Sequence, residues 1–290
     1  MKRIVFVLCV AVLASGGRAA AQDKEETAAL VKRFRDGDVK GRTRAADALV
    51  KLGADGATEL AGLLADRDAN VRGRAAEVLA RIGPDAKEAV PALAKAMMDK
   101  DDTSVRASAA LALGRIGAAA VPALIEALKG KGTEQRALAA GALKQIGPDA
   151  KDAVPALIDV AKAGGPNADP ARVNALAALG RIGPKAKEAV PALAELVKGK
   201  DATPAVRSQA AIALGQIGPD AKEAVKALAE AVAEPSTKAG PLRFHAVAAL
   251  GQIGPNAKDA VPALEKALDD KTIGEQARKA IEKIRAKEKE

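Results

Sequence analysis

The chain has 290 residues, of which 49% are apolar, yet it contains no Trp, no Tyr and three Phe. Its core must therefore be Ala, Leu, Val and Ile, a composition that favours closely packed helices and argues against a sheet sandwich, which uses aromatic and β-branched residues. The formal net charge is +9. The chain has one cysteine, Cys9, and one histidine, His245, so it cannot form a disulfide framework and has at most one thiol–histidine pair.

Residues 1–21 have the layout of a secretory signal peptide. A basic start, MKR, precedes an apolar run of eleven residues, Ile4–Ala14, and the small residues Ala19 and Ala21 precede Gln22. The run is shorter than the roughly 20 residues that span a bilayer. We expect cleavage after Ala21, which leaves an exported chain, periplasmic or secreted, with a net charge of +6, no cysteine and no transmembrane segment. An uncleaved membrane anchor is the alternative.

A repeated pattern follows a short capping segment. Residues 22–37 are predicted to form an N-terminal capping helix, since Asp23 and Glu26 have the spacing of a capping box. Residues 38–272 then repeat a sequence such as ALGRIGPKAKEAVPAL at a period of 30 to 36 residues, which indicates a stacked array. The repeats are marked by seven glycines, Gly53, Gly83, Gly117, Gly147, Gly183, Gly218 and Gly254. Eleven residues before each glycine is an arginine, and these form what we call the arginine ladder: Arg42, Arg72, Arg106, Arg136, Arg172, Arg207 and Arg243.

Each repeat is predicted to be a pair of short helices. In the third repeat, Val105, Leu113 and Ile116 recur at helical spacing and Gly117 ends the run. A turn follows, and a second helix begins near Pro122, where the missing N–H costs nothing. Such a hairpin cannot bury both of its apolar faces alone, because ordering each backbone residue costs about 1–2 kcal/mol. Neighbouring hairpins must therefore stack.

The pattern VRxxAAxALGxIGPxAKxAVPAL resembles the HEAT repeat, specifically the HEAT-like type of phycobilisome lyases. The resemblance implies an all-α fold, a right-handed α-solenoid of about seven helix-turn-helix repeats with terminal capping helices. It places first helices on the convex side and second helices on the concave side, with residues 273–290 as a C-terminal capping helix and charged tail. The third repeat is three residues short, and the connections AKAGGPNADPAR and AEPSTKAGPLR are long. These connections either carry function or lie where length is unconstrained.

The regularity of the arginine ladder favours a structural role over ligand binding. An arginine that opens each first helix can bond carbonyl groups or acids of the preceding repeat. Three ladder arginines have an aspartate four residues earlier, and we expect these aspartates to be their partners: Asp38, Asp68 and Asp102.

Catalytic residues are few. The resemblance extends to di-iron hydroxylases with His-Glu pairs, but His245 is followed by Ala246 and the chain has no second histidine. We therefore expect no enzymatic activity, no metal and no cofactor. His245 shares its position in the repeat with a row of residues that we expect to face solvent, namely Arg44, Arg74, Ser108, Asn174 and Gln209.

Charge on the second helices gives the candidate partner-binding residues. Each second helix contains a leucine that recurs in every repeat, such as Leu124. The residue two positions after it points about 200° away from it, and so away from the core. At this position are four acids, which we call the acidic row, and two lysines: Glu126, Asp159, Glu195 and Glu230, with Lys95 and Lys266. A lysine three residues on, at Lys129, Lys162 or Lys198, partly neutralises three of the acids.

The first helices near the N-terminal end carry a basic face, composed of Arg44, Lys51, Arg74, Arg81 and Arg115. This face either keeps an Ala-rich protein in solution or contacts an anionic surface.

Together these features predict an exported, monomeric, non-enzymatic scaffold that binds a protein partner through its concave groove or a loop edge. One alternative is binding of nucleic acid or another anionic surface through the basic face. Nucleic-acid binding would need a basic groove with stacking aromatics, and the sequence provides neither. The other alternative is a lyase or hydroxylase that is related by repeat family only.

Overall fold

The computed structural model of the protein describes residues 25–163, 170–199 and 202–286, and for residues 236–239 it describes the backbone alone. The predicted signal peptide and Asp23 lie outside these residues. The chain divides at Ile116 into two compact units, Met1–Ile116 and Gly117–Glu290. The sequence did not predict this division, which falls at the repeat with the shortened turn.

The first unit contains six helices in its described part, and α4 packs along α6. Their bounds are residues 25–36 (α1), Val39–Lys51 (α2), Ala54–Leu63 (α3), Ala69–Ile82 (α4), Val90–Ala96 (α5) and Thr103–Ile116 (α6).

The second unit contains ten helices in its described part. Their bounds are Val121–Lys129 (α7), Thr133–Ile146 (α8), Val154–Lys162 (α9), Pro170–Ile182 (α10), Val190–Lys198 (α11), Pro204–Ile217 (α12), Val225–Val232 (α13), Ser236–Ile253 (α14), Val261–Lys266 (α15) and Gly274–Arg285 (α16). The even-numbered first helices α8, α10, α12 and α14 pack each on the next, and α16 packs on α14 as a further first helix would. The connection after α13 is shorter than its sequence indicates, because α14 begins at Ser236 and contains Pro241.

The turn within each repeat is the same local structure. All seven marker glycines have positive φ, between 58° and 86°, a conformation that residues with a Cβ rarely adopt. A proline follows most of them and opens a short 3₁₀ segment, such as Gly218–Ala224, that leads into the second helix. The sequence predicted both the end of each first helix and the start of each second helix for these reasons.

The core is aliphatic, as the composition requires. In the first helices it is rich in alanine; for example Ala210 and Ala213 of α12 are fully buried beside Leu214. Small side chains on facing helices let the backbones approach closely, so each first helix forms the interface for the next. The predicted all-α fold of stacked helix pairs is confirmed within each unit. No helix in the described residues is both long and apolar enough to cross a membrane.

Candidate functional site

The arginine ladder lies at the ends of the helices that precede each first helix. Arg207 Nε donates to the Val197 carbonyl at 2.8 Å, and Arg243 Nε donates to the Val232 carbonyl at 3.0 Å. The last carbonyl groups of a helix have no partner inside it, so these bonds satisfy them. Arg172 Nε makes the same contact to Ala161, whereas Nη1 of Arg42, Arg72 and Arg106 donates to a carbonyl just beyond the preceding helix, at Gly37, Asp66 and Asp99. These are the carbonyl contacts that a structural role requires.

One ladder arginine, Arg72, has a different acid partner from the one expected. For Arg72 the expectation of Asp68 is wrong, since its Nε lies 2.7 Å from the carboxylate of Asp99, on the loop after the following second helix. The three aspartates cap helices, because a short acidic side chain satisfies the free N–H groups of the first turn. Asp38 accepts from Gly41 N, Asp68 from Asn70 N, and Asp102 from Ser104 N and Val105 N, at 2.7–3.0 Å. The hydrogen bond from the Asn70 backbone lowers the pKa of Asp68.

Two further ladder arginines pair with an acid of the following second helix or its loop. Arg207 forms a bidentate pair with Glu234, and Arg243 Nη2 lies 2.7 Å from the Asp270 carboxylate. A hydrogen bond from the Thr272 side chain, together with Arg243, holds the pKa of Asp270 well below its ordinary value. At the corresponding positions after α7, α9 and α11 the sequence has Gly130, Ala163 and Gly199 instead of an acid. These three positions therefore offer the ladder arginine of the same repeat no acid of the kind that Arg72, Arg207 and Arg243 pair with.

A groove lies between α7 and α9, where that acid is missing. Its volume is about 550 Å³. The floor is apolar and the rim is charged, with Asp152 and Asp159 on α9 and its preceding turn, Arg136 on α8, and Lys129, which pairs with Glu126, on α7. The lining residues are Ile125, Leu128, Lys129, Gly130, Arg136, Asp152, Pro155, Ala156, Asp159 and Val160. We call this the α7–α9 groove.

The first unit has a corresponding groove of about 400 Å³ between α3 and α5. There the ladder residue Arg72 lines the groove together with its ion-pair partner Asp99. In the α7–α9 groove, Gly130 stands at one acid position of the first groove and Ala163 follows at the other. The two grooves therefore share a position in the repeat but differ in volume and in where their acids lie.

The acidic row lies on four consecutive second helices of the second unit. All four side chains are exposed, and α7, α9, α11 and α13 each contact the next. Two of the three expected lysine pairs are present, Glu126 with Lys129 at 2.7 Å and Glu195 with Lys198 at 3.7 Å. Among the described residues neither Asp159 nor Glu230 has an ion pair. Of the row, Asp159 alone lines the α7–α9 groove.

Sequence reasoning missed Asp152 and the apolar floor of this groove. Asp152, Pro155 and Asp159 are spaced three and four residues apart and so share one face of the chain. This spacing is visible in the sequence and could have identified Asp152. The half-buried Ile125 comes from the neighbouring helix α7, and its place beside them follows from packing.

The expectation that the His245 row faces solvent is wrong for most of its members. Asn174 Nδ2 donates to the Ala137 carbonyl of the preceding first helix at 3.0 Å, so this row lies at the seam between neighbouring first helices. Burial lowers the pKa of His245. Ser108 is buried, Arg74, Asn174, Gln209 and His245 are half-buried, and Arg44 is exposed. No cluster of potential metal ligands occurs among the residues that the structure describes.

The five residues of the basic face all belong to the first unit. Arg81 Nη2 reaches across the seam from α4 to the Asp47 carboxylate of α2, at 2.7 Å. Arg44, Lys51 and Arg115 are exposed, whereas Arg74 is half-buried at the same seam.

Comparisons with known proteins agree with this architecture. A family model described as HEAT repeats matches residues 27–114, 58–144, 90–167, 167–239 and 200–285. No curated protein matches the chain.

Three solved structures illustrate the likeness. The complex of CpcE and CpcF of phycocyanin lyase from Nostoc sp. PCC7120 is 26% identical, with 79% of this chain and 94% of that chain covered and a TM-score of 0.47. The Escherichia coli protein YibA is 22% identical, with coverage of 88% and 91% and a TM-score of 0.52. The karyopherin Kap121p, bound to the extreme C-terminus of the protein phosphatase Cdc14p, is 14% identical, with coverage of 89% and 33% and a TM-score of 0.60. The last two are similar to this chain in fold.

Proposed function

Because the chain belongs to the HEAT-repeat family, we propose that it is an exported, non-enzymatic scaffold that binds a protein partner through the α7–α9 groove and the adjoining acidic row. Stacked repeats offer long binding surfaces made of many small, similar contacts. The Kap121p structure, which has the same type of fold, holds a segment of another protein. Export is proposed from the leader sequence.

The observation that carries the proposal is the open groove between α7 and α9. Its volume of about 550 Å³ accommodates one or two side chains, and Ile125, Pro155 and Ala156 leave apolar surface accessible there. Asp152 and Asp159 are both exposed on its rim. A segment that places an apolar side chain on the floor and a basic side chain between these carboxylates fits both features.

The non-enzymatic part of the proposal is supported by the sequence. General-base activation of a serine, threonine or cysteine requires a suitably placed base, most often histidine. His245 is the single histidine of the chain, and it lies at the seam between first helices of the second unit, on the opposite helix layer from the acidic row. The acids of the row pair with lysines or face solvent, which suits recognition of charge.

A photo-crosslinking amino acid at position 156 tests the proposal in cells. We expect a crosslinked protein, identified by mass spectrometry, whose yield falls sharply when Asp152→Lys and Asp159→Lys are combined. The purified partner should then bind the unsubstituted chain and lose most of its affinity for this double variant. Reversal of the whole acidic row should weaken binding further while the helical circular dichroism signal is retained.

The matched control reverses two exposed acids in the turns of the same unit, Asp149→Lys and Asp220→Lys. This control makes the same change in net charge and should leave both crosslinking and affinity unchanged. Equal loss in both double variants would show that the partner senses net charge and not the groove. Absence of any crosslink from position 156 would overturn the proposal directly.

A further inference from the structure

A second lined recess lies in the first unit, at the seam between α2 and α4. Its volume is about 290 Å³, and we call it the α2–α4 slot. Its lining residues are Phe34, Val39, Arg42, Thr43, Ala46, Arg74, Glu77, Val78 and Arg81. The slot and the α7–α9 groove share no residue and belong to different units, so the inference drawn here goes beyond the proposed function.

The apolar part of the slot is incompletely covered. Val39, the first residue of α2, is 72% exposed, the largest exposure among the large apolar side chains of the described residues. Beside it the slot is walled by Phe34, Ala46 and Val78, which are buried at 2%, 7% and 4% exposure. An aliphatic side chain placed in the slot would cover Val39 and remove its surface from water.

The polar part of the slot carries three guanidinium groups with unequal surroundings. Arg42 Nη1 donates to the Gly37 carbonyl at 2.8 Å, and Arg81 Nη2 donates to Asp47 at 2.7 Å. Arg74 Nε is buried, and it has no hydrogen-bond partner among the described residues. Buried N–H groups of this kind normally have an acceptor.

At the equivalent seam in the second unit, the corresponding side chain has a hydrogen-bond acceptor, whereas Arg74 Nε has none in the described part of the chain. Asn174 occupies the same position of its repeat and donates to the Ala137 carbonyl of the preceding first helix at 3.0 Å. Arg74 is longer and leads into the slot, where Glu77 is the one lining carboxylate. The lining itself carries three arginines against one glutamate; outside the lining, Asp47 pairs with Arg81 and Asp68 interacts electrostatically with Arg74.

We propose that the α2–α4 slot binds an acidic, aliphatic segment of a protein partner. A carboxylate of that segment accepts from Arg74, and an adjacent leucine-like or valine-like side chain packs on Val39. Charge complementarity selects the carboxylate and the apolar wall selects the aliphatic neighbour. A nucleic-acid strand would use the charge but not the wall, because the ring of Phe34 is buried and offers no face for base stacking.

Fluorescence anisotropy with the full chain and a labelled nonapeptide of glutamate and leucine tests the proposal. Arg74→Gln should weaken binding by about tenfold or more, as loss of a charge-assisted hydrogen bond predicts. Val39→Ser should weaken it by roughly threefold to tenfold, because the aliphatic contact is lost. Val39 is mostly exposed, so this second variant keeps the test decisive if Arg74→Gln unfolds the seam.

Arg44→Gln is the matched control, since Arg44 is exposed, carries the same charge on the basic face and does not line the slot. It should change affinity by less than about twofold, because an exposed charge contributes little. The proposal is overturned if Arg44→Gln weakens binding as much as Arg74→Gln does. It is also overturned if a glutamine–leucine peptide or an oligothymidylate of equal length binds as tightly, or if the acidic peptide does not bind.

Discussion

Replacing Gly215 with alanine should destabilise the protein, although alanine is the better helix former. Gly215 lies in the last turn of α12, against the next first helix, α14. A Cβ at this position would lie 3.0 Å from the Cα and 3.2 Å from the Cβ of Ala249, and against the amide oxygen of Gln252. The Gln252 side chain is exposed and can rotate away, but the Ala249 backbone can move only with its helix.

The size of the effect follows from two opposing terms. Alanine gains about 1 kcal/mol over glycine in a helix interior. Forcing an extra methyl into a closely packed interface costs about 1–3 kcal/mol. The net expectation is a loss of about 0–2 kcal/mol for Gly215→Ala.

Gly141→Ala is the matched control in the same unit. Gly141 lies within the first helix α8, where the nearest atom to an added Cβ is Asn174 Nδ2 at 3.8 Å, an ordinary contact. This variant should keep its gain of about 1 kcal/mol, so the two variants should differ by about 1–3 kcal/mol. Urea unfolding followed by circular dichroism gives the midpoints, and hydrogen exchange of α12 and α14 amides locates the change. If Gly215→Ala raises the midpoint as much as Gly141→Ala, the close packing of α12 on α14 is wrong.

Three further substitutions test the turns and the ladder. Gly218→Ala should destabilise by about 1–3 kcal/mol through backbone strain alone, since φ is +76° and nothing lies within 4 Å of the added Cβ; a urea midpoint equal to that of the unsubstituted chain would contradict this. Arg207→Lys should cost about 1–3 kcal/mol because it keeps the charge but loses the bidentate pair with Glu234, and the same measurement in the Glu234→Gln background should show a smaller loss. Because the pKa of Asp270 is lowered in the folded state, the stability it contributes is present above its ordinary pKa of 3.8 and is lost as the pH falls through its native pKa. The advantage of the unsubstituted chain over Asp270→Asn at pH 7 should therefore shrink on titration to pH 3 and below, and a constant difference would refute the pairing.

The parts of the fold that the sequence predicted are those decided within a few residues. Gly183 and Pro184 end one helix and open the next because of their own backbone preferences, and the aliphatic spacing that leads to Ile182 identifies the buried face. The same local chemistry occurs in every repeat. A sequence pattern that would be weak evidence for a helix pair at one place is therefore strong evidence when it recurs. The all-α repeat fold followed from this.

The parts that could not be predicted depend on the register of helices against each other. The pairing of Arg72 with Asp99 joins residues 27 positions apart, whereas Asp68, four residues before Arg72, was the closer candidate in sequence. Asn174 was expected to face solvent from its position in the repeat. In the structure it contacts the neighbouring first helix, where its side chain donates to the Ala137 carbonyl. The α7–α9 groove likewise depends on how Ile125 of one helix lies beside Pro155 of the next.

The joint between α12 and α14 has a counterpart one repeat earlier. Gly180 of α10 meets Gln216 as Gly215 of α12 meets Gln252, with an alanine of the next helix behind each amide. The two interfaces use the same residue types at the same positions. A duplicated stretch of 36 residues, the distance from Gly218 to Gly254, would therefore pack against matching helices on both sides. The family can therefore lengthen or shorten such a chain by whole modules through duplication and deletion, without having to evolve a new interface each time.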